Sequence, residues 1–166
     1  MNRLTTIEIY KEEMKFSAGH FTVFSAVERE RLHGHNFTVQ VSITGRVKPD
    51  GLVFDYGIYK RKVIQLCRAH NEYFLLPTRS PHLRIEERAG NIVAHFNGEE
   101  LHFLKQDVML LPLANITVEE LSQYFLEQLL QFCTERGESE IHAFVVKVFT
   151  GPGQGASANW QRETTG

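Results

Sequence analysis

The stretch ERERLHGHNFTVQVSITG, residues 28–45, alternates with a period of two. His33, His35, Phe37, Val39, Val41 and Ile43 share one parity, and Thr38, Gln40, Ser42 and Thr44 share the other. Successive strand side chains point to opposite faces, so this is the pattern of a half-buried strand with one apolar face. Both histidines fall on the apolar parity, where an unpaired polar group is costly. Upstream, Met14, Phe16, Ala18 and His20 share a parity between the polar Glu13, Lys15 and Ser17. An antiparallel hairpin with His20 opposite His33 also sets Ala18 opposite His35 and Phe16 opposite Phe37. Three imidazoles then meet at one end of a sheet, and three protein nitrogens with a fourth position open is the donor set of a catalytic zinc. The competing reading is of hydrogen-bonded histidines that close a strand, and the assumed register decides between the two.

Outward from this hairpin, strands are expected at about 5–20 and 33–47, joined by a loop that carries Glu28, Arg29, Glu30 and Arg31. Pro49-Asp50-Gly51 reads as a turn, and 57–69 as a helix whose stripe of Val63, Leu66, Cys67 and His70 has i, i+3, i+4, i+7 spacing. FLLP (74–77) and a polar stretch follow it. Ala89-Gly90-Asn91 and Asn97-Gly98 are turn signals, the latter a strong hairpin cue between IVAHF and EELHF. They predict a small β-meander at 83–104, inserted as a decoration on the outer edge of the main sheet. A second helix is expected at 118–134, with Val118, Leu121, Phe125, Leu129 and Phe132 on one face and a Thr117/Glu120 capping box. The last strand, 141–150, leads into GPGQGAS (151–157) and a tail expected to fray, with a further strand near the C-terminus left open. The order gives one α+β domain over 1–166, with two helices on one face of an antiparallel sheet.

A formal net charge of −2 without a Lys/Arg block argues against nucleic acid as the partner. No apolar run reaches signal-peptide or membrane-spanning length, so no membrane partner is expected. Cys67 and Cys133 lack a CxxC neighbour and read as buried thiols of a reducing compartment, hence a cytoplasmic protein. His82, His95, His102 and His142 read as surface or edge residues.

FSAGH (16–20), LHGHNF (32–37), G-x-V-x-D-Y (51–56), His70 followed by FLLP, and N-x-T-x-E-E-L (115–121) together resemble one family. It is that of the 6-pyruvoyl-tetrahydropterin synthases and the related 6-carboxy-tetrahydropterin synthases. Order and spacing agree over about residues 8–158. The resemblance implies a tunnelling fold, with a four-stranded antiparallel sheet and two helices. It implies zinc on His20, His33 and His35, a homo-oligomer (trimer or dimer of trimers), and a pterin or purine-like substrate contacted by Thr117 and Glu119. Thr117 can equally be only a helix cap. The family's zinc polarises side-chain oxygens of 7,8-dihydroneopterin triphosphate while a base moves protons.

The departures from the family pattern are specific. Arg29 stands where the general base is usually Cys, and a guanidinium cannot serve as a base near neutral pH. The family's Asp-His pair is Ala69-His70 here, and Thr150 aligns with a Glu that grips the pterin. Glu30, three residues before His33, matches members that use Glu as base and form 6-hydroxymethyl-7,8-dihydropterin. A surface Glu paired with Arg is the other reading of Glu30. The sequence therefore points to a zinc-dependent lyase of a dihydropterin triphosphate, with His70 and Glu30 moving protons. The alternative is a zinc-binding paralogue with altered or lost pterin chemistry that acts as a binding or assembly protein.

Overall fold

The structure is a computed structural model, and it describes residues 3–163. β1 (Leu4–Ile9) and β2 (Lys15–His20) both lie against one side of the long β3 (His33–Arg46). β2 pairs antiparallel in the expected register, with His20 opposite His33, Ala18 opposite His35 and Phe16 opposite Phe37. The single strand expected at 5–20 is broken. Residues 10–14, including a turn closed by Met14 N–H on Lys11 carbonyl, face only Val39 and Gln40. The break has a physical cause. Ile7 and Ile9 have odd parity and Met14, Phe16 and Ala18 have even parity, so an unbroken strand would expose one of the two sets.

α1 (Tyr56–His70) starts at Asp55, whose Oδ1 accepts from Gly57 N–H at 2.9 Å. FLLP is β4 (Tyr73–Pro77), parallel to β2. The meander is β5 (Arg84–Arg88), β6 (Asn91–Phe96) and β7 (Glu99–Leu104), a separate three-stranded antiparallel sheet. It has its own apolar cluster, in which Ile92, Ala94 and Phe96 pack with Phe21, Val23, Leu76 and Leu83. It is therefore more than a decorated edge, since it shares a core with the chain just after His20. β8 (Val108–Leu111) follows, parallel to β4.

α2 (Val118–Arg136) stops at Gly137, whose left-handed φ of 67° lets its N–H reach the Cys133 and Thr134 carbonyls. β9 (Ile141–Gly151) and β10 (Gln154–Gln161) form the closing hairpin, so the tail expected to fray is paired strand through Gln161. Ala158 and Trp160 pack into or against the core, which gives this segment apolar contacts of its own.

The main sheet runs β10-β9-β3-β2-β4-β8, with β1 also on β3. The expected antiparallel arrangement holds for β10, β9, β3 and the β1/β2 pair. The β2–β4 and β4–β8 pairs are parallel and make the sheet mixed. Both helices cover the face on which Phe37, Val39, Val41, Ile43, Phe144, Val146 and Val148 are buried. Phe16 stacks between Phe37 and Phe125 at centroid distances of 5.0 and 5.6 Å, tying β2, β3 and α2 together directly beneath the three histidines.

Candidate metal centre and active site

One ligating nitrogen from each of His20, His33 and His35 lies within 4.8 Å of the others. The ring of Phe37 is their floor, with centroids 5.8 Å from His20 and 5.5 Å from His35. Two of the rings are oriented by backbone carbonyls. His20 Nδ1–H donates to Ile116 at 2.8 Å, and His33 Nδ1–H donates to Arg31 at 2.7 Å. In each ring Nε2 is thereby left as the atom that can ligate a metal. His33 Nε2 is 3.1 Å from His35 Nε2, and His20 Nε2 is buried without a hydrogen-bond partner. Burial above all pushes the His20 and His35 pKa values down, and the neighbouring imidazoles add to it. Neutral imidazoles, a buried lone pair without a partner and an apolar floor fit a soft-to-borderline divalent cation such as zinc.

The loop from His20 to His33 is short-circuited by its own hydrogen bonds. Val23 bridges Arg29, Phe24 and Ser25 N–H groups meet the Glu28 carbonyl, and Glu30 N–H donates to Thr22 at 2.9 Å. This geometry aims the Glu30 carboxylate at the cluster, with Oε2 3.1 Å from His33 Nε2. The side chain is 33% exposed and lies against the histidine rather than the neighbouring arginines, a contact that in metal-free protein needs one proton shared between Oε2 and Nε2.

Asn115 and Ile116, which the sequence marked only as part of a motif, organise both halves of the site. Asn115 Oδ1 accepts from Val23 N–H at 3.1 Å and its Nδ2 donates to the Val23 carbonyl at 2.8 Å. The next residue supplies the carbonyl that orients His20. A short segment before α2 thus holds a zinc-ligand candidate and the loop of the candidate base. The only sequence signal was the N-x-T motif itself, because a carbonyl has no side-chain signature.

Thr117 is the α2 N-cap, its Oγ1 accepting from Glu120 N–H at 3.3 Å, and Glu119 is exposed on the first turn. Glu120 does not close the expected box, since it accepts from Ala114 N–H instead. His70 is 3% exposed, enclosed by Phe16, Tyr124 and Phe125, with Nδ1–H on the Leu66 carbonyl at 2.7 Å and Nε2 without a partner. That carbonyl does the orienting for which the sequence, with Ala69, offers no carboxylate. Burial pushes the His70 pKa down. Cys67 is pushed up to about 12 by burial and is no substitute thiolate. His95 is not at an edge: it sits on the middle strand of the small sheet, 2.6 Å from Glu86, which also pairs with Arg88 and Arg84.

Two clefts meet at His35. One, of about 510 Å³, is bounded by Ser17, Asn36, Tyr73, Phe74 and Asp107. The other, of about 640 Å³, is bounded by Thr38, Gln40, Phe149 and Thr150. Both have the size of small-molecule sites. Thr150 therefore lines a cleft that His35, alone of the three histidines, also reaches.

Fold and site together define an α+β protein in which a three-histidine metal-site candidate closes the end of a strand pair, with a carboxylate in contact. The sequence matches the family model described as 6-pyruvoyl tetrahydropterin synthase over residues 8–160, and the chain belongs to that family. A protein of Methanocaldococcus jannaschii that carries the name 6-carboxy-5,6,7,8-tetrahydropterin synthase is 30% identical over 144 residues, 86% of this chain and 88% of its own. The 6-pyruvoyl tetrahydropterin synthase of Plasmodium falciparum superposes with a TM-score of 0.89 at 30% identity, over 97% of this chain and 100% of its own. The Plasmodium vivax enzyme gives the same TM-score and coverages at 27% identity, in variants where a glutamate described as a catalytic residue is replaced by Cys or by Ala.

Proposed function

We propose that this protein is a zinc-dependent lyase of 7,8-dihydroneopterin triphosphate or a closely related pterin, with Glu30 as its general base and 6-hydroxymethyl-7,8-dihydropterin as its product. The observation that carries this reading is the 3.1 Å contact of the Glu30 carboxylate with His33 Nε2, inside the three-histidine cluster. The catalytic glutamate of the P. vivax relative supports it. So does the absence of any cysteine in the loop, where Arg29 stands.

His20, His33 and His35 would hold the zinc, which supplies Lewis acidity that makes a nearby side-chain hydroxyl of the substrate easier to deprotonate. Glu30 takes the proton of the hydroxyl whose carbon leaves as an aldehyde, and returns a proton to the carbon that stays on the ring. The Ile116 and Arg31 carbonyls keep the His20 and His33 rings from turning during these transfers. Phe37 shields the cluster from water on its inner side. His70, with its free Nε2, is the second candidate for moving a proton, and Thr117 and Glu119 are the candidates for substrate contact.

Exposed apolar side chains near the base loop, Phe24, Val27 and Leu32, and the open edge strands β10 and β8 support a homo-oligomer, trimeric or a dimer of trimers. Light scattering tests it, and a monomer would refute it. No helix of the described residues is long and apolar enough to cross a membrane. Two free buried thiols agree with a cytoplasmic setting.

Incubating zinc-loaded protein with 7,8-dihydroneopterin triphosphate tests the reaction, with products followed by chromatography and mass. Formation of 6-hydroxymethyl-7,8-dihydropterin that disappears in Glu30→Gln is the expected result. The neutral Thr150 in the cleft beside His35 favours a second reading, a zinc-binding paralogue with altered pterin chemistry. Zinc binding with neither turnover nor pterin binding would select that reading.

A further inference from the structure

Arg29 stands where the resemblance places a cysteine base, and the proposed reaction gives it no chemical part. Its surroundings are nevertheless specific. The guanidinium carbon lies 5.3 Å from the ring centroid of Phe21 and 5.6 Å from that of Phe96, both within cation–π range. Phe21 follows His20 directly and Phe96 ends the middle strand of the three-stranded sheet. Both are buried in the one apolar cluster that joins that sheet to the rest of the chain. Nη1 of Arg29 donates to the Glu30 carbonyl at 2.9 Å, while the Glu30 N–H donates to Thr22. Both backbone polar groups of Glu30 are thereby held, and its carboxylate lies on His33.

We propose that Arg29 is a positioning residue for Glu30, and that the three-stranded sheet of residues 84–104 acts on the active site through it. Phe96 and Phe21 clamp the guanidinium, and the guanidinium fixes the peptide that carries the base. A one-residue hydrogen bond such as Arg29 to Glu30 can form in many loop conformations. Packing the planar head between two rings selects one of them, because a guanidinium lies well on an aromatic face and an ammonium does not offer the same planar fit. The sheet thus has a function in the reaction that its distance from the histidines in sequence conceals. This inference rests on the reading of Glu30 as the base.

The test uses the zinc-loaded protein with 7,8-dihydroneopterin triphosphate, and compares Arg29→Met, Arg29→Ala, Phe96→Leu and Glu30→Gln. Misplacing a catalytic group by about 1 Å costs on the order of 100-fold. Arg29→Met and Phe96→Leu are accordingly expected to lower kcat by about 10- to 100-fold with KM within about twofold. Millimolar guanidinium is expected to restore part of the kcat of Arg29→Ala and to do nothing for Glu30→Gln. A second readout is independent of turnover: in the metal-free protein, amide hydrogen exchange over residues 22–30 should quicken in Arg29→Met while α1 and α2 keep their protection. Loss of protection throughout Phe96→Leu would mean general unfolding, and Arg29→Met, which leaves the apolar cluster in place, then decides. Unchanged kcat and unchanged exchange in Arg29→Met, beside an inactive Glu30→Gln, would overturn this inference alone. Full activity in Glu30→Gln would overturn the assignment of the base, and this inference with it.

Discussion

His33 and His35 bring their Nε2 atoms to 3.1 Å, while the His33 ring is held from behind by the Arg31 carbonyl. The His33 lone pair is thus aimed at its neighbour and at Glu30 Oε2, and a proton on either partner or a shared cation can satisfy it. A proton on His35 or on Glu30 leaves the buried His20 Nε2 unpaired, whereas a cation satisfies all three rings. Burying an unpaired polar atom costs about 1–3 kcal/mol, which favours the cation.

One zinc per chain is the expected stoichiometry by atomic emission after dialysis, and Ala at His20, His33 or His35 should lower it. Zinc at about 100 times its Kd adds roughly 2.7 kcal/mol of stability, which for a domain of this size raises Tm by roughly 5–10 °C. A chelator should reverse the rise. An unchanged melting curve with and without zinc would exclude the centre.

Gly34 lies between the two histidines because the strands are close there. A Cβ at this position would meet the Ala18 carbonyl oxygen at 2.9 Å, so β2 and β3 would have to separate. Gly34→Ala is expected to cost about 1–3 kcal/mol in urea unfolding. It should also weaken zinc binding in a chelator competition, because His33 and His35 move with the strand.

Asn115 makes both of its Val23 hydrogen bonds across 92 residues of chain. Asn115→Ala leaves a partly buried N–H and C=O unpaired, and a loss of about 1–3 kcal/mol is expected by chemical denaturation. Activity should fall further than stability predicts, since the freed loop carries Glu30. A variant of full activity would show that the loop is held by its internal bonds alone.

His70 makes stability depend on pH. Its pKa is lowered in the native protein by burial, while the unfolded chain titrates near 6.5. Above about pH 6.5 the ring is neutral in both states and the native protein keeps its full stability. Below that the unfolded chain takes up a proton that the native chain refuses, and stability falls until the native pKa is passed. In metal-free protein His20 and His35 act in the same direction. Urea unfolding at pH 7.5 and 5.5 should show the loss, and His70→Phe, which preserves the aromatic enclosure, should reduce it. An equal loss in the variant would remove His70 as a cause.

The hairpin of the three histidines was legible because strand side chains repeat every two residues. With Phe16 and Phe37 both facing the core, only registers two residues apart remain, and the one the structure adopts brings His20, His33 and His35 together. The same parity held the signal for the break after Ile9, in the switch from Ile7 and Ile9 to Met14 and Phe16. Both helices and the Asn97-Gly98 hairpin were legible from caps, stripes and turn residues. Short runs such as FLLP and VMLL were not, since four apolar residues fit a buried helix turn or a parallel strand equally well.

By itself, then, the sequence determined the local elements, the parity of the sheet and, through the parity of two strands, the donor set of the metal-site candidate. Tertiary structure alone decided what holds them in working order. Ile116 orients His20 from 96 residues away, Asn115 ties down Val23, and Phe96 closes on Arg29. These contacts involve carbonyls, aromatic faces and an amide, groups that every chain carries in abundance. Their role comes from where folding sets them, because hydrogen bonding and cation–π attraction act over a few ångströms of space with no regard for separation along the chain.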